Sequence, residues 1–393
     1  MPFLTVRATW LREDRRARCF EKDEAMRQLG CLAIAVALSA ATVPCQASAA
    51  PPPTRPAPQA VRRVMASGIS VPIVHLTQPT GVGCTAVKIN SGGSVPWWGV
   101  INCGNGLAYE YKGTPAPIVL GLPAGATSEQ AYNIDLNGYV IGASYSSTGI
   151  ATPQVWNPGG APLPTPFKSC VAASAPTGIA AGFHKTGWAA GVPVVGQNLA
   201  GAPSQACWWY PGAAHLIPPT PTNSFAYDVN LKPIYVGQFN GTAAAGVGPA
   251  GPLSPIAGIA SPSVAYAINS SSLIVGHEDL APSGCGSLPK GVAFIYPYGG
   301  SVTLVGPLPG DCNAGFEDLN DKPSMVGYSV NPSVQQAIGY NLAGPYPAGL
   351  FDLNTGVAPH PWVLLSDAPG IDDANDIIAT DTGVSPSQVY VLL

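Results

Sequence analysis

The chain has 393 residues, only 10% of them Asp, Glu, Lys or Arg, and a formal charge of −4. Seven of its 17 basic residues fall in the first 49 positions. That leaves 10 basic against 16 acidic residues beyond them, which excludes a nucleic-acid partner held through neutralised phosphates. Gly (46) and Pro (43) are abundant, yet 46% of the chain is hydrophobic and the breakers fall between short Val/Ile/Tyr/Trp runs, so many short strands are expected rather than disorder.

Met26-Arg27-Gln28 leads into the apolar run 29–43, and Ala47-Ser48-Ala49 follows as a small-x-small site. This order describes a secretory signal peptide over 26–49. The run is shorter than the roughly 20 residues that a membrane-spanning helix needs. Residues 1–25 carry charges that do not normally precede such a signal, and they read as a mis-assigned extension. The mature chain is expected to start near Ala50, to be secreted or periplasmic and to hold no transmembrane segment. Residues 50–69 form a Pro-rich linker, extended rather than packed.

From about residue 70 a phrase recurs: A-x-x-I-N-x-x-G-x-x-V-G. Its clearest copies are AYNIDLNGYVIG from Ala131, AYDVNLKPIYVG from Ala226 and AYAINSSSLIVG from Ala265. Weaker copies start at Ala86, Ala180, Phe316 and Ile371. The steps between starts are 45, 49, 46, 39, 51 and 55 residues, the size of a four-stranded propeller blade. The A-x-x-I-N part reads as a first strand, Asn137-Gly138 and Thr186-Gly187 as hairpin turns, and the V-x-G part as a second strand. Third strands carry an aromatic (Tyr109, Trp156, Trp208, Tyr296, and Tyr340 or Phe351). A short run over 71–76 precedes the first phrase as a fourth strand without a blade, while the C-terminus ends on three strands. The expected fold is therefore all-β, a β-propeller over 70–393 with seven four-stranded blades, six being the fallback. The N-terminal strand would close the last blade and remove an open edge.

The repeated phrase resembles the bacterial extracellular repeats called the HAF family. The resemblance implies an exported, propeller-like repeat protein with no established activity. Lys232-Pro233 and Lys322-Pro323 depart from it where Gly is usual, and the copy at Ala180 is degenerate.

In such a blade the first-to-second and third-to-fourth connections share one face, and the other two kinds share the opposite one. The former are short here. The latter are expected to be long and variable over 143–153, 164–177, 277–291 and 306–315. Binding residues concentrate on variable loops, so Tyr145, His277, Glu278, Asp279 and Asp311 are the candidate ligand-binding residues of that face. Cys84, Cys103, Cys170, Cys207, Cys285 and Cys312 fall at the same face. Their economical pairing as disulfides is 84–103, 170–207 and 285–312, although six cysteines allow 15 connectivities. Asp and Asn recur at the first turn, with Asp372, Asp373 and Asp376 the densest set. Calcium could use such oxygens, but a turn role for Asx side chains explains the repetition, and no metal or other cofactor is expected. The pairs Trp97-Trp98 and Trp208-Trp209 could stack on sugar rings or pack between blades.

No H-E-x-x-H, G-x-S-x-G or P-loop is present, and no catalytic residue is assigned. The expected function is an exported, non-enzymatic, monomeric binding or surface-interaction module for a protein or glycan of unknown identity. The alternative is a propeller-type carbohydrate-active hydrolase or lyase, which would need carboxylates such as Glu278, Asp279 or Asp311 to meet at the axis.

Overall fold

A computed structural model describes residues 72–92, 94–164, 167–170, 177–187, 191, 193–199, 204–210, 213–218, 223–248, 251–280, 290–342, 349–356 and 364–393. The extension, signal peptide, linker and Cys285 lie outside these residues. Among the described residues no helix is long and apolar enough to cross a membrane.

Each phrase sits where one strand turns into the next. In the second blade, Ala126–Ile134 is the first strand, residues 135–139 turn, and Val140–Ser146 is the second. Repetition gives seven antiparallel sheets in a ring, a seven-bladed propeller. Six sheets have four strands. The second blade has three, and an isolated bridge from Trp156 to Pro162 stands in place of its fourth. The seventh blade joins Leu365–Ile371, Ile377–Asp381 and Gln388–Leu392 to Ile73–His75 from the other end of the chain. Its closing register is Ile73 to Leu392, Val74 to Val391 and His75 to Tyr390. The fold is the expected one, including its closure.

The phrase has two physical causes. First, the first strand carries a β-bulge after the phrase's opening residue, seen as register shifts at Ala86/Lys88, Ala131/Asn133, Ala226/Asp228, Ala265/Ala267 and Phe316/Asp318. The bulge drives the preceding carbonyl toward the second strand. A Cβ at Gly142, Gly237 or Gly276 would collide with the carbonyl of Gln130, Phe225 or Val264, and this explains the closing Gly of the phrase. Second, the fifth residue of the phrase serves two blades at once. Asn320 Oδ1 accepts from the N–H groups of Lys322 and Ser324 in its own turn, both at 3.0 Å. Its Nδ2 donates to the Asp372 carbonyl of the next blade at 2.8 Å. Asn230 and Asn269 do likewise, donating to Asn269 O and Asn320 O. The turns then pass through a left-handed residue, with φ of +85° at Gly138, +70° at Gly187, +72° at Ser272 and +75° at Asn375. The same geometry places the last copy's phrase at Ala368, three residues before the start read from sequence, because Asp372 takes the turn role of Asp135.

Blades pack through large side chains. Trp156, Trp208, Tyr235, Phe294 and Phe316 are fully buried, and Trp208 meets Tyr235 edge-on with centroids 5.5 Å apart. Tyr340 lies on a third strand and Phe351 on a fourth, which resolves the alternative for the sixth blade. Both residues of Trp97-Trp98 and of Trp208-Trp209 are at most 3% exposed, so neither pair offers a face to a sugar. Disulfides join Cys84 to Cys103 and Cys170 to Cys207. Cys312 is also disulfide-bonded.

Two outcomes are expected. Deleting residues 50–78 removes the closing strand and should cause aggregation or a large drop in melting temperature, whereas deleting 50–66 should shift it by less than a few degrees; equal melting of the two truncations would contradict the closure. Non-reducing peptide mapping of exported protein should recover Cys84–Cys103, Cys170–Cys207 and a third bridge between Cys285 and Cys312, with no alkylatable thiol in residues 50–393.

Candidate functional site

The first strands surround the axis, and their bulge aims consecutive residues of the phrase into the central channel. Toward the face of the short first-to-second turns (the turn face) the channel is ionic. Toward the opposite face (the loop face) it is aromatic.

At the third position of the phrase, Lys88 of the first blade reaches two blades away, and its ammonium pairs with the Asp318 carboxylate. Asp318 Oδ2 accepts the Ile371 N–H at 2.8 Å. Asp228, at the same position of the fourth blade, accepts the N–H groups of Val229 at 2.9 Å and Ile268 at 3.0 Å. Each of these carboxylates therefore ties its blade to the next. Burial pushes Asp228 up to about 7 against the pull of Lys88 and of both N–H groups. Burial also raises Asp318, outweighing its Lys88 partner. One ammonium thus pairs with Asp318 and acts through its charge on buried Asp228.

At the sixth position, Lys185 of the third blade crosses the channel and pairs with both Asp321 of the sixth blade and Asp373 of the seventh. The two carboxylates are held in advance: Ser270 N–H donates to Asp321 Oδ1 at 2.9 Å, and Asp321 N–H donates to Asp373 Oδ1 at 3.0 Å. Burial would raise Asp321, but Lys185 and Ser270 hold it below the usual carboxylate range. Between these two ionic tiers remains a cavity of about 60 Å³. Such a space holds a few waters and no sugar ring.

His184 and Ser270 also line this cavity, and their contact resembles a base and nucleophile. His184 Nε2 lies 3.2 Å from Ser270 Oγ. The wiring runs the wrong way for catalysis. Thr186 N–H donates to His184 Nδ1 at 3.2 Å, so Nε2 carries the proton and donates to Ser270 Oγ, which in turn donates to Asp321 Oδ2 at 2.9 Å. Burial and the adjacent Lys185 hold His184 down at about 4, so the ring is neutral.

The aromatic half begins at the second position, with half-buried Tyr132, Tyr227 and Tyr266. Tyr132 and Tyr227 sense each other electrostatically across the third blade, which carries only Ala181 there. Phe225 to Tyr227, Tyr227 to Tyr266, Tyr266 to His277 and His277 to Tyr328 form a chain of ring contacts with centroids 4.2, 5.5, 5.5 and 6.5 Å apart. On the second blade, the hydroxyls of Tyr132 and Tyr145 both donate to Gln130 Oε1, at 2.8 and 2.9 Å.

The expected loop placement of four candidate residues is corrected. Tyr145 lies in the strand Val140–Ser146, and His277, Glu278 and Asp279 lie in Leu273–Leu280. His277 and Glu278 are 5% and 4% exposed rather than solvated. Burial lowers the His277 pKa, the nearby Asp279 opposing it. Tyr145 and His277 join the aromatic wall, and Glu278 accepts the Ala260 N–H at 3.1 Å. Asp279 accepts from Asn313 at 3.1 Å. Asp311 stands apart in a loop, bound by Ser329 and Asn331 at 2.7 and 2.8 Å. Glu278, Asp279 and Asp311 therefore do not meet as a catalytic set; among the described residues the carboxyls lining the cavity are Asp228, Asp318, Asp321, Asp372 and Asp373. Of the calcium candidates, Asp372 accepts its own turn's N–H groups and Asp373 pairs with Lys185. Burial and neighbouring Asp376 raise Asp372 to about 7, and burial raises Asp376 to about 6. Among the described residues no group of three or more His, Cys, Asp or Glu is placed to hold a metal.

No family model and no curated protein match the chain. Solved structures similar to it include a catalytically inactive virginiamycin B lyase from Staphylococcus aureus with quinupristin, at 10% identity and TM-score 0.49, covering 82% of this chain and 100% of that one. Another is the extracellular domain of a one-component system from B. thetaiotaomicron, at 10% identity and TM-score 0.46, covering 81% of this chain and 39% of that one. A third is a mutant of AofleA from Arthrobotrys oligospora, at 11% identity and TM-score 0.40, covering 72% and 89%. At these levels the likeness says nothing about what this chain binds.

The buried carboxyls give stability a definite pH dependence. Burial raises Glu110, Glu129, Asp228 and Asp372 to about 7 each, from roughly 4 in an unfolded chain. A raised native pKa contributes stability that is complete below about pH 4 and is lost as pH climbs through 7. The melting temperature should therefore be lower at pH 8 than at pH 5. Glu110 and Glu129 each leave one carboxyl oxygen buried without a partner, so Glu110→Gln with Glu129→Gln should raise melting at pH 8 and flatten the slope. A stability rising from pH 5 to pH 8 would contradict these assignments.

Proposed function

We propose that the chain is an exported, monomeric, non-enzymatic binding module of the HAF-repeat type, and that its ligand, a protein or glycan component, enters the channel from the loop face. The observation that carries this reading is the Lys185 bridge. With Asp321 and Asp373 tied to one ammonium across the ring, the turn face admits only a few waters, and a larger ligand reaches the axis only past the tyrosines. A concave wall of aromatic rings with a few polar groups is the usual composition of a ligand seat. The two disulfides favour an oxidising compartment outside the cytoplasm.

A second reading, a carbohydrate-active enzyme, draws on Asp228 and Asp318, two carboxyls at one lysine whose environments could separate an acid from a base. It would require Lys185 to move or a substrate to thread the tyrosine half. Release of reducing sugar that is abolished by Asp318→Asn would favour it.

The binding reading makes a sided prediction. With immobilised mature protein and an envelope extract, Tyr227→Ala with Tyr266→Ala should abolish specific retention of a partner. Leu231→Ala on the turn face, at a side chain 55% exposed, should leave retention unchanged and alter stability by less than about 0.5 kcal/mol. Retention lost through Leu231 and untouched by the tyrosines would reverse the orientation.

A further inference from the structure

We infer that the turn face of the propeller, together with the arginine-bearing segment 50–71 that leads into it, is a docking surface for a lipid bilayer with anionic headgroups. The inference goes beyond the reading of the channel and holds whatever ligand the channel takes.

Three observations converge. The first is where the arginines stand. Beyond residue 49 the chain has only Arg55, Arg62 and Arg63, all before Pro72, and residues 50–71 hold no Asp or Glu. This segment joins the fold at the turn face. Ile73–His75 enters the seventh blade beside the end of Gln388–Leu392, and Leu393 N–H donates to the Pro72 carbonyl at 3.0 Å. Arg62 and Arg63 are at most ten residues from Pro72, hence within about 36 Å of it even on a fully extended chain.

The second is the charge of the face itself. Lys112, Lys232 and Lys322 are exposed at its turns, and among the described residues none of them is in an ion pair. Lys112 rests over the Trp98 ring, which places its ammonium without neutralising it. Asp321 and Asp373 share Lys185, Asp376 is half-buried, and Glu110, Asp135 and Asp372 are buried beneath the surface. The folded face is thus near charge balance, and the three arginines decide its sign. The third observation is apolar. Tyr210, Leu231, Val247 and Tyr298, between 42% and 55% exposed, stand on this face of the third, fourth and fifth blades. Tyr210 and Val247 end third strands, while Leu231 and Tyr298 lie in turns.

This mixture selects the partner. The core of a protein interface is depleted of lysine, whereas here lysines and apolar groups alternate around the ring. The Lys185 bridge leaves no opening in which a partner's side chain could anchor. A second copy would set lysine against lysine. A bilayer surface accepts scattered apolar groups at headgroup level, where tyrosine is favoured, and its phosphates answer both the lysines and the guanidinium groups. Weak apolar insertion and a basic cluster each give marginal attachment, and the two together give a stable one.

The test is co-sedimentation of residues 50–393 with vesicles of phosphatidylcholine alone and of phosphatidylcholine mixed with phosphatidylglycerol. The chain should bind only the mixed vesicles, and high salt should release it. Arg62→Gln with Arg63→Gln should weaken binding at least about tenfold, and Lys232→Gln with Lys322→Gln should act in the same direction. Leu231→Ser with Tyr298→Ser should weaken it several-fold with the melting temperature kept within a few degrees. Lys168→Gln with Lys290→Gln, on the loop face, should leave it unchanged. Equal binding to the two kinds of vesicle, no binding by folded protein, or an equal loss through the loop-face pair overturns the docking surface. If vesicles are ignored while Leu231→Ser with Tyr298→Ser removes a protein partner or dissolves a dimer in sedimentation velocity, the lipid assignment is wrong.

Discussion

In four of the seven repeats one side chain ties its blade to the next: the asparagine at the fifth position of the phrase, Asn90, Asn230, Asn269 and Asn320. A hairpin turn needs an acceptor for its exposed N–H groups, and a ring of separate sheets needs some polar tie at its narrowest radius, where side chains have least room to pack. Asn320 meets both needs, accepting within its own turn and donating to the Asp372 carbonyl. Aspartate at this position keeps the turn but loses the donor. That substitution occurs at Asp135 and Asp372, and Asp372 is buried with its carboxyl raised to about 7.

The bulge next to this asparagine decides what faces the axis. In an unbroken strand, neighbouring residues point to opposite sides. Here the second and third positions both serve the channel, so Tyr227 and Asp228 contribute to adjacent levels of the same wall. The two halves of the channel, one of rings and one of ions, are therefore consecutive letters of a single repeat. Among the described residues lysine enters the channel at Lys88, paired with Asp318, and at Lys185, paired with Asp321 and Asp373, each on another blade.

Much of this was legible in the sequence. The blade period, the strand lent by the N-terminus and the pairing of Cys84 with Cys103 follow from spacing, since repeated loops and turns must fall at fixed intervals. The site was not. His277-Glu278-Asp279 reads as a loop because polar runs usually mean solvent, but a strand lining an internal channel carries polar residues too. The copy at Ala180 reads as decayed because Phe183-His184-Lys185 breaks the phrase, yet those residues close the ring's turn face. Alternation also misleads at the bulge, where it would send Asp228 and Asp318 away from the axis. The recurrence of Asp and Asn at the turn was visible, and its turn role is borne out for Asp135, Asn230, Asn320 and Asp372; that the same amides stitch blade to blade was not, because it depends on the neighbour's backbone.

The closing blade also fixes an orientation. Leu393 N–H donates to the Pro72 carbonyl at 3.0 Å, so both ends of the described chain lie together, on the same face as Lys185 and its two aspartates. Any support joined to the propeller through the residues before Pro72 would stand behind the bolted end. The tyrosine wall would then look outward, presented to the surroundings as a socket is by its stem, with no hinge or reorientation needed to expose it.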